Sequence, residues 1–425
     1  KFMSCKIEKT KLYGKIVCPP NKSYTHRAIM LASLAGGKSI IKNVLHASDT
    51  NATIEACKRF GAQIKETGDS LTIEGIKEFK NQNTVIDAKN SGTTIRIIAA
   101  IASLSEGKTV LSGDESLRKR PMQPLLDALE SIGAKCSSTD GKPPITVSGT
   151  VNGGEVNIPG NISSQFVTAL MIIAPRTEKG LVLNIKEDLV SKPYLDATIN
   201  IMEKFSAKVD TIIPYKKYQI APQDYKPTEV TIPTDFSSLA LLLSAAVLLG
   251  DKITCEMMKD DLPQGDEKII DILEDLGVIV TLSKNTITVK SPELLKGGKF
   301  DLIDTPDLLP PLAILVLKSS KPIELFNVKH ARYKETDRIA ILGRELQKLG
   351  VKVKEKEDGL ILEAPDNPKG AELNSENDHR LFMAFCIAGM FVGDCTVTNP
   401  ESVAISYPNF ISDMNKVGGK IKSNL

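Results

Sequence analysis

The chain has 425 residues, 41% of them hydrophobic and 25% charged, with a formal net charge of +2. That length predicts two or three domains with ample core, and the ordinary globular balance excludes a disordered, collagenous or coiled-coil architecture. The near-neutral charge gives no global field for a nucleic acid or an anionic membrane, so neither is expected as a partner.

Taken from the N-terminus, Lys1-Phe2-Met3-Ser4-Cys5-Lys6 lacks the apolar region of a secretory signal. Further on, amphipathic helical patterns end repeatedly on one phrase, an apolar residue followed by Gly and a small residue or Val. It occurs at Phe60-Gly61-Ala62, Ile132-Gly133-Ala134, Leu276-Gly277-Val278, Leu349-Gly350-Val351 and Val417-Gly418-Gly419, and Phe205-Ser206-Ala207 fills the gap with Ser for Gly. Successive copies lie roughly 70 residues apart, which predicts six copies of one structural unit. Each unit opens with a polar cluster that starts an Ala/Leu-rich helix. A β-rich run such as Ser39-Ile40-Ile41 follows, then an amphipathic helix such as Met122 to Ile132, the Gly phrase and a short hairpin.

The first helix of a unit is apolar nearly all round (Leu239 to Leu243, Phe382 to Cys386), so it is expected to be buried; the second has a polar face and is expected outside. The prediction is an α/β fold of two domains, 14–233 and 234–425, each of three units around buried helices. The boundary falls in the Pro- and Thr-rich stretch Pro227 to Pro233, with strand 1–13 joined to the C-terminal domain. A second crossing near Pro19-Pro20 is compatible with the pattern but not required by it. The longest apolar stretches, such as Leu239 to Leu249, are about half of what a bilayer needs. Seven scattered cysteines without C-x-x-C spacing and four isolated histidines predict a reduced, cytoplasmic protein and argue against structural zinc.

The starts of the buried helices carry the chemistry. In order they read Asn21-Lys22-Ser23, Asn90-Ser91-Gly92-Thr93, Ser163-Ser164-Gln165, Asp235-Phe236-Ser237-Ser238, Thr305-Pro306-Asp307 and Asn377-Asp378-His379-Arg380. Such residues cap helices, leaving unpaired backbone N–H groups and a positive dipole end. If the three buried helices of each domain align, their N-termini share one face, and two such faces across a cleft make a site for anions. Only ten of the 54 basic residues are Arg: Arg27, Arg59, Arg96, Arg118, Arg120, Arg176, Arg332, Arg338, Arg344 and Arg380. Arg has a planar fork that suits carboxylate and phosphate, so each is a candidate anion contact.

Individual motifs sharpen this. Lys22, Ser23, His26 and Arg27 put Ser23 and Arg27 on one helical face at the mouth of an apolar helix. Gly92 stands at a helix start, as a turn residue or as a point where a ligand approaches the backbone. Arg118-Lys119-Arg120-Pro121 reads as a charged loop or an anion contact. Lys334 and Arg338 lie at i, i+4, with Glu335 three residues before Arg338, as a structural ion pair or part of an acid/base pair with Asp307. Ala32 to Ser39 and Ala102 to Thr109 match a loose phosphate-loop pattern, but each lies at a helix end entering a strand, the reverse of the order such a loop needs.

Together NKSYTHRA, NSGTTIR, RKRP, SSQF, SKPY, KETDR and NDHR, in this order and spacing, resemble the 5-enolpyruvylshikimate-3-phosphate synthases. The resemblance implies an inverse α/β barrel of the enolpyruvyl transferase type, with three βαβαββ repeats per domain. It also implies transfer of the enolpyruvyl group of phosphoenolpyruvate to the 5-hydroxyl of shikimate 3-phosphate, releasing phosphate, in chorismate and aromatic amino-acid biosynthesis. No cofactor or metal is implied, the partners are the two small substrates, and the expected form is a monomer.

Carried over motif by motif, Lys22 resembles the lysine lying between both substrates. Ser23, Arg27, Ser163, Ser164, Gln165, Ser191, Tyr194, Asp307 and Lys334 resemble the shikimate 3-phosphate ligands, with Arg27 at the carboxylate. Gly92, Arg120, Arg338 and Arg380, with Lys22 and Gln165, resemble the phosphoenolpyruvate site. Asp307 resembles the base for the 5-hydroxyl, and Glu335 the group handling the proton at the methylene carbon. UDP-N-acetylglucosamine enolpyruvyl transferases share fold and chemistry but typically carry a catalytic cysteine in the loop matching Asp114 to Pro121, where this chain has none. Three positions depart from the resemblance: Ile405 replaces a lysine, Ile97 a proline, and His330 an asparagine that commonly contacts substrate.

Overall fold

A computed structural model describes residues 3–78, 83–250, 252–258 and 261–423. The chain divides into two compact units. The N-terminal unit comprises Pro20–Pro233 with Asp260–Gln264; the C-terminal unit comprises Lys1–Pro19, Thr234–Lys259 and Gly265–Leu425.

Each unit contains three repeats, and each repeat supplies one buried and one outer helix. In the N-terminal unit these are α1 (Lys22–Leu34) and α2 (Ser48–Arg59), α3 (Gly92–Ala102) and α4 (Gln123–Ser131), and α5 (Gln165–Ile173) and α6 (Lys192–Lys204). In the C-terminal unit they are α7 (Phe236–Leu249) and α8 (Ile269–Asp275), α9 (Leu309–Ile314) and α10 (Arg338–Lys348), and α11 (His379–Val392) and α12 (Phe410–Lys416). Nearly every residue of the odd-numbered helices is buried, as in α7, where only Ser237 reaches partial exposure. α1 and α3 bury polar side chains as well, Thr25, His26 and Arg27 in the one and Thr94 and Arg96 in the other. Each buried Leu, Ile or Phe contributes about 1.5–3 kcal/mol, so a helix that hides its whole circumference is stable only inside the core.

α9 is short, and the turn before it, Pro306–Leu308, is a 3-10 helix. Pro310 and Pro311 fall in its first turn, where a missing N–H leaves no bond unmade, while Pro306 restricts the residue ahead of it. Asp307 therefore sits in a 3-10 turn ahead of the fifth buried helix and not on the helix expected from its sequence.

Among the described residues the strands form six four-stranded sheets, each with one parallel and two antiparallel pairings. In one of them Thr84–Asp87 lies parallel to Lys108–Ser112, which pairs antiparallel with Lys142–Ser148, itself paired with Lys135–Thr139. Among the described residues none of the sheets closes on itself, so the barrel in the expected fold name corresponds to six open sheets.

Three sheets borrow a strand from a distant part of the chain. Tyr13–Val17 precedes α1 in sequence, yet pairs in parallel with Lys252–Glu256. Glu229–Thr231 precedes α7, yet pairs in parallel with Gly37–Lys42. Ser4–Ile7 lies between Cys395–Thr398 and Ile421–Ser423. The chain therefore crosses between units at Pro19-Pro20 and at Pro233-Thr234, and the short segment Asp260–Gln264, expected in the C-terminal domain, also falls with the N-terminal unit. Residues 14–19, expected in the N-terminal domain, belong to the C-terminal unit because their strand completes its sheet; residues 1 and 2 of the expected strand lie outside the described residues. Backbone bonds fix both crossings within their own units: Asn21 N–H donates to the Pro233 carbonyl, and Asp235 N–H to the Pro19 carbonyl.

Candidate active site

In the N-terminal unit the sequence-predicted residues gather at helix starts. Asn21 caps α1, its side chain accepting from the Tyr24 N–H at 2.7 Å. Lys22 opens the helix and its Nζ lies 3.2 Å from Oδ2 of buried Asp49. Arg27 donates from Nη1 to Ser23 Oγ at 2.5 Å and from Nε to Thr198 Oγ1 of α6 at 2.9 Å. The expected shared face of Ser23 and Arg27 is therefore a direct bond. Burial pushes the Arg27 guanidinium down to about 10, and it drives His26 well below its usual value with the help of neighbouring Lys22 and Arg27.

Gly92 begins α3 behind the Ser91 cap. A Cβ there would meet Arg120 Nη1 at 2.7 Å and would lie at ordinary contact distance, 3.5 Å, from Gln165 Oε1, so glycine lets the Arg120 guanidinium close on the helix start. Arg120 is buried and donates from Nη2 to the Asn90 carbonyl and side chain, at 3.0 and 3.2 Å. Gln165 donates to Thr93 Oγ1 at 3.0 Å and accepts from Arg96 Nη1 at 2.8 Å. Arg96 also reaches Ser163 Oγ at 3.3 Å and the Pro121 carbonyl at 3.0 Å, and stacks over Phe166 at 4.7 Å. Ser164 caps α5. Ser191 precedes α6 in a left-handed conformation with φ of 54°, and its carbonyl accepts from the Tyr194 N–H at 3.1 Å. The set is cationic and rich in hydroxyls, which suits a ligand carrying carboxylate and phosphate.

The C-terminal unit is built differently. Arg338, 1% exposed, opens α10 and is surrounded by carboxylates. Its Nη1 lies 3.0 Å from Asp307 Oδ1, its Nη2 2.6 Å from Glu335 Oε2, and its Nε 2.9 Å from Asp378 Oδ2. Burial alone opposes its charge, but Asp378, Glu335 and Asp307 together hold it above its usual value. Asp378 also caps α11 and accepts from Thr336 Oγ1 at 2.9 Å. Arg380, buried in the first turn of α11, donates to Ser238 Oγ of α7 at 3.1 Å.

Lys334 and Glu335 precede α10, whose cap is Asp337, so Lys334 and Arg338 do not share the helical face their spacing predicted. His379 pairs its Nδ1 with Ser406 Oγ at 2.5 Å, and its Nε2 lies 3.6 Å from Glu335 Oε1. Glu335, Asp378 and His379 have ligand atoms within 4.8 Å of one another. Arg338 already occupies the carboxylates, however, so a cation there would meet a guanidinium. Ile405 ends a 3-10 turn and is buried, and burial beside Lys334 pushes His330 down to about 4.

Sequence reasoning assigns no role to Asp49, Asp378 or Asp266, and to Arg96 only the general one of a candidate anion contact. Arg96 and Asp378 stood inside quoted motifs, and their signal was a cation or carboxylate beside a helix cap. Asp49 and Asp266 lay outside every motif; partners distant in sequence make them visible only in three dimensions.

The comparisons with known proteins agree. The family model described as EPSP synthase (3-phosphoshikimate 1-carboxyvinyltransferase) matches residues 7–414. The 3-phosphoshikimate 1-carboxyvinyltransferase of Nitrosopumilus maritimus is 63% identical over 420 residues, covering 99% of this chain and 100% of that protein. That of Methanosarcina acetivorans is 44% identical over 434 residues, covering 99% of each chain. Among solved structures, EPSP synthase from Acinetobacter baumannii superposes with a TM-score of 0.82 at 25% identity, covering 100% of both chains. The enolpyruvyl transferase NikO from Streptomyces tendae shares the fold, with a TM-score of 0.79 at 17% identity, covering 100% of this chain and 99% of that one. The chain belongs to the EPSP synthase (3-phosphoshikimate 1-carboxyvinyltransferase) family and has that family's activity, enolpyruvyl transfer in the shikimate pathway of aromatic amino-acid biosynthesis.

Proposed function

We propose a division of labour in this reaction between the two units. Shikimate 3-phosphate is held chiefly by the N-terminal set: Ser23 with Arg27, the latter at its carboxylate, Ser163, Ser164 and Ser191 at its phosphate, Tyr194 beside its ring, and Lys22 and Gln165 touching both substrates. Lys334 and Asp307 take its hydroxyls. Phosphoenolpyruvate is held by Arg120, Gly92, Gln165, Lys22, Arg338 and Arg380.

The observation that carries this reading is the clamp on Arg338. It brings Asp307 and Glu335 onto one guanidinium, 3.0 and 2.6 Å from its nitrogens, and so gathers two carboxylates suited to separate proton transfers. Asp307 takes the proton of the 5-hydroxyl as its oxygen attacks C2 of phosphoenolpyruvate. Glu335, which takes up a proton from solvent as the arriving anion draws Arg338 from it, delivers that proton to the methylene carbon beside the Lys22 ammonium. The tetrahedral adduct then loses phosphate by C–O cleavage, and the methyl proton returns to the carboxylate side as the double bond reforms. Positive charge developing at C2 is stabilised by the same carboxylates. Because Arg338 is already bonded to Asp307 and Glu335, an arriving phosphoenolpyruvate anion competes for its donors. Binding thereby loosens the base from its ion pair.

The test is phosphate release measured with both substrates and with each alone. Release that requires both shikimate 3-phosphate and phosphoenolpyruvate is expected, and equal release with UDP-N-acetylglucosamine contradicts the substrate assignment. Both residue sets lie on one chain, which supports a monomer as the working form; activity that appears only at a larger sedimenting mass contradicts that. No helix of the described residues is long and apolar enough to cross a membrane, and seven free cysteines, six of them buried, support action in the reducing cytoplasm.

A further inference from the structure

Asp266 lies in a 3-10 turn, Gly265–Lys268, and is 5% exposed. Its Oδ2 accepts a 2.5 Å hydrogen bond from Ser237 Oγ in the first turn of α7. The next residue, Ser238, accepts from Arg380 Nη1 at 3.1 Å, and the backbone N–H groups of Ser237 and Ser238 both donate to Asp235. One helical turn thus connects Asp266 to the arginine read above as a phosphoenolpyruvate ligand.

The charged groups facing Asp266 are Asp307 from the turn before α9, Asp235 at the α7 cap and Arg380 from α11. Its own turn adds only the exposed Glu267 and Lys268. Burial and the charge of Asp307 push the Asp266 carboxyl up to about 7, against the opposing pull of the Ser237 hydrogen bond and Arg380.

We propose that Asp266 is a positioning residue for phosphoenolpyruvate, controlling through the first turn of α7 how fully Arg380 is available to the substrate's anionic groups. The inference rests on the reading that Arg380 binds phosphoenolpyruvate. With its proton on, Asp266 is a neutral neighbour that leaves the charge of Arg380 to the substrate. With its proton off, it adds a carboxylate that competes for Arg380 and repels the incoming anion. Linkage is reciprocal, so bound phosphoenolpyruvate favours the protonated carboxyl in turn.

The experiment measures KM for phosphoenolpyruvate and kcat from about pH 6 to about pH 8.5 for the wild type, Asp266→Asn and Ser237→Ala. The substrates' own phosphates titrate in this range for every enzyme, so the readout is the ratio of wild type to variant. The KM ratio of wild type to Asp266→Asn is expected to rise roughly fivefold or more across the range, with kcat changing less. Ser237→Ala removes a bond that favours the ionised carboxyl and is expected to move the rise to higher pH. A pH-independent ratio overturns the inference. Should Asp266→Asn not fold, Ser237→Ala decides alone: a displaced rise supports the inference and an unmoved one overturns it. Arg380→Ala separates the two levels. A raised KM there with a flat Asp266→Asn ratio removes only this inference, whereas an unchanged KM removes the underlying reading of Arg380.

Discussion

The two units use the same repeat for opposite electrostatic ends. At the helix starts of the N-terminal unit stand Lys22, Arg27, Arg96 and Arg120, bonded largely to hydroxyls, amides and carbonyls, with Asp49 as the carboxylate on Lys22. In the C-terminal unit the arginine at the start of α10 is surrounded by Asp307, Glu335 and Asp378, and Asp235 and Asp266 flank the first turn of α7. A buried cation that bonds neutral groups keeps its charge for a ligand. One that bonds three carboxylates also orients them. The contrast teaches that helix starts supply position, while the residues placed there decide whether a buried cation meets neutral partners or carboxylates.

Substitutions can break that contrast. The largest effect is expected on the proton-transfer side, where Glu335→Gln should lower kcat by about 10²–10⁴-fold in steady-state assays while shikimate 3-phosphate still binds. On the binding side, Arg27→Ala removes charged hydrogen bonds of about 1.5–3 kcal/mol. Titration calorimetry should show shikimate 3-phosphate affinity falling roughly ten- to a hundredfold, with kcat at saturation changed far less. Gly92→Ala should act more mildly. Its new methyl displaces Arg120 from a 2.7 Å approach, and KM for phosphoenolpyruvate should rise roughly tenfold with little loss of thermal stability. A rise in the KM for shikimate 3-phosphate alone would place Arg120 on the other substrate.

The smallest effect concerns stability against pH. Asp266 ionises near the usual carboxylate value when unfolded but near about 7 when folded. Between those values the folded chain binds the extra proton, so unfolding free energy falls as pH rises through the window. Denaturant titrations at several pH values should show this slope in the wild type and a shallower one in Asp266→Asn; parallel slopes contradict it.

Much of this was legible in the sequence. The five Gly phrases, with Ser206 in the sixth place, mark the positive-φ residue that follows each outer helix, and burial of the odd-numbered helices follows from their largely apolar sequences. The clustering of Lys22, Ser23 and Arg27 follows from helical spacing. What was not legible depends on partners far apart in the chain. Tyr13–Val17 and Glu229–Thr231 are locally equivalent short strands, each ahead of a buried helix, and nothing in either says that each completes the other unit's sheet. Arg338 is separated from Asp378 by 40 positions, so a run like KETDR shows its i, i+3 ion pair and hides the third carboxylate. The spacing of Lys334 and Arg338 misled because a helix start lies between them: Asp337 caps the helix and leaves Lys334 outside.

The central claim is tested most directly by measuring kcat and shikimate 3-phosphate affinity on the same Asp307→Ala protein. Turnover should fall by about 10²–10⁴-fold with shikimate 3-phosphate still bound, its affinity weakened less than by Arg27→Ala. Unchanged turnover, or a loss of binding as large as that of Arg27→Ala with kcat intact, would contradict it.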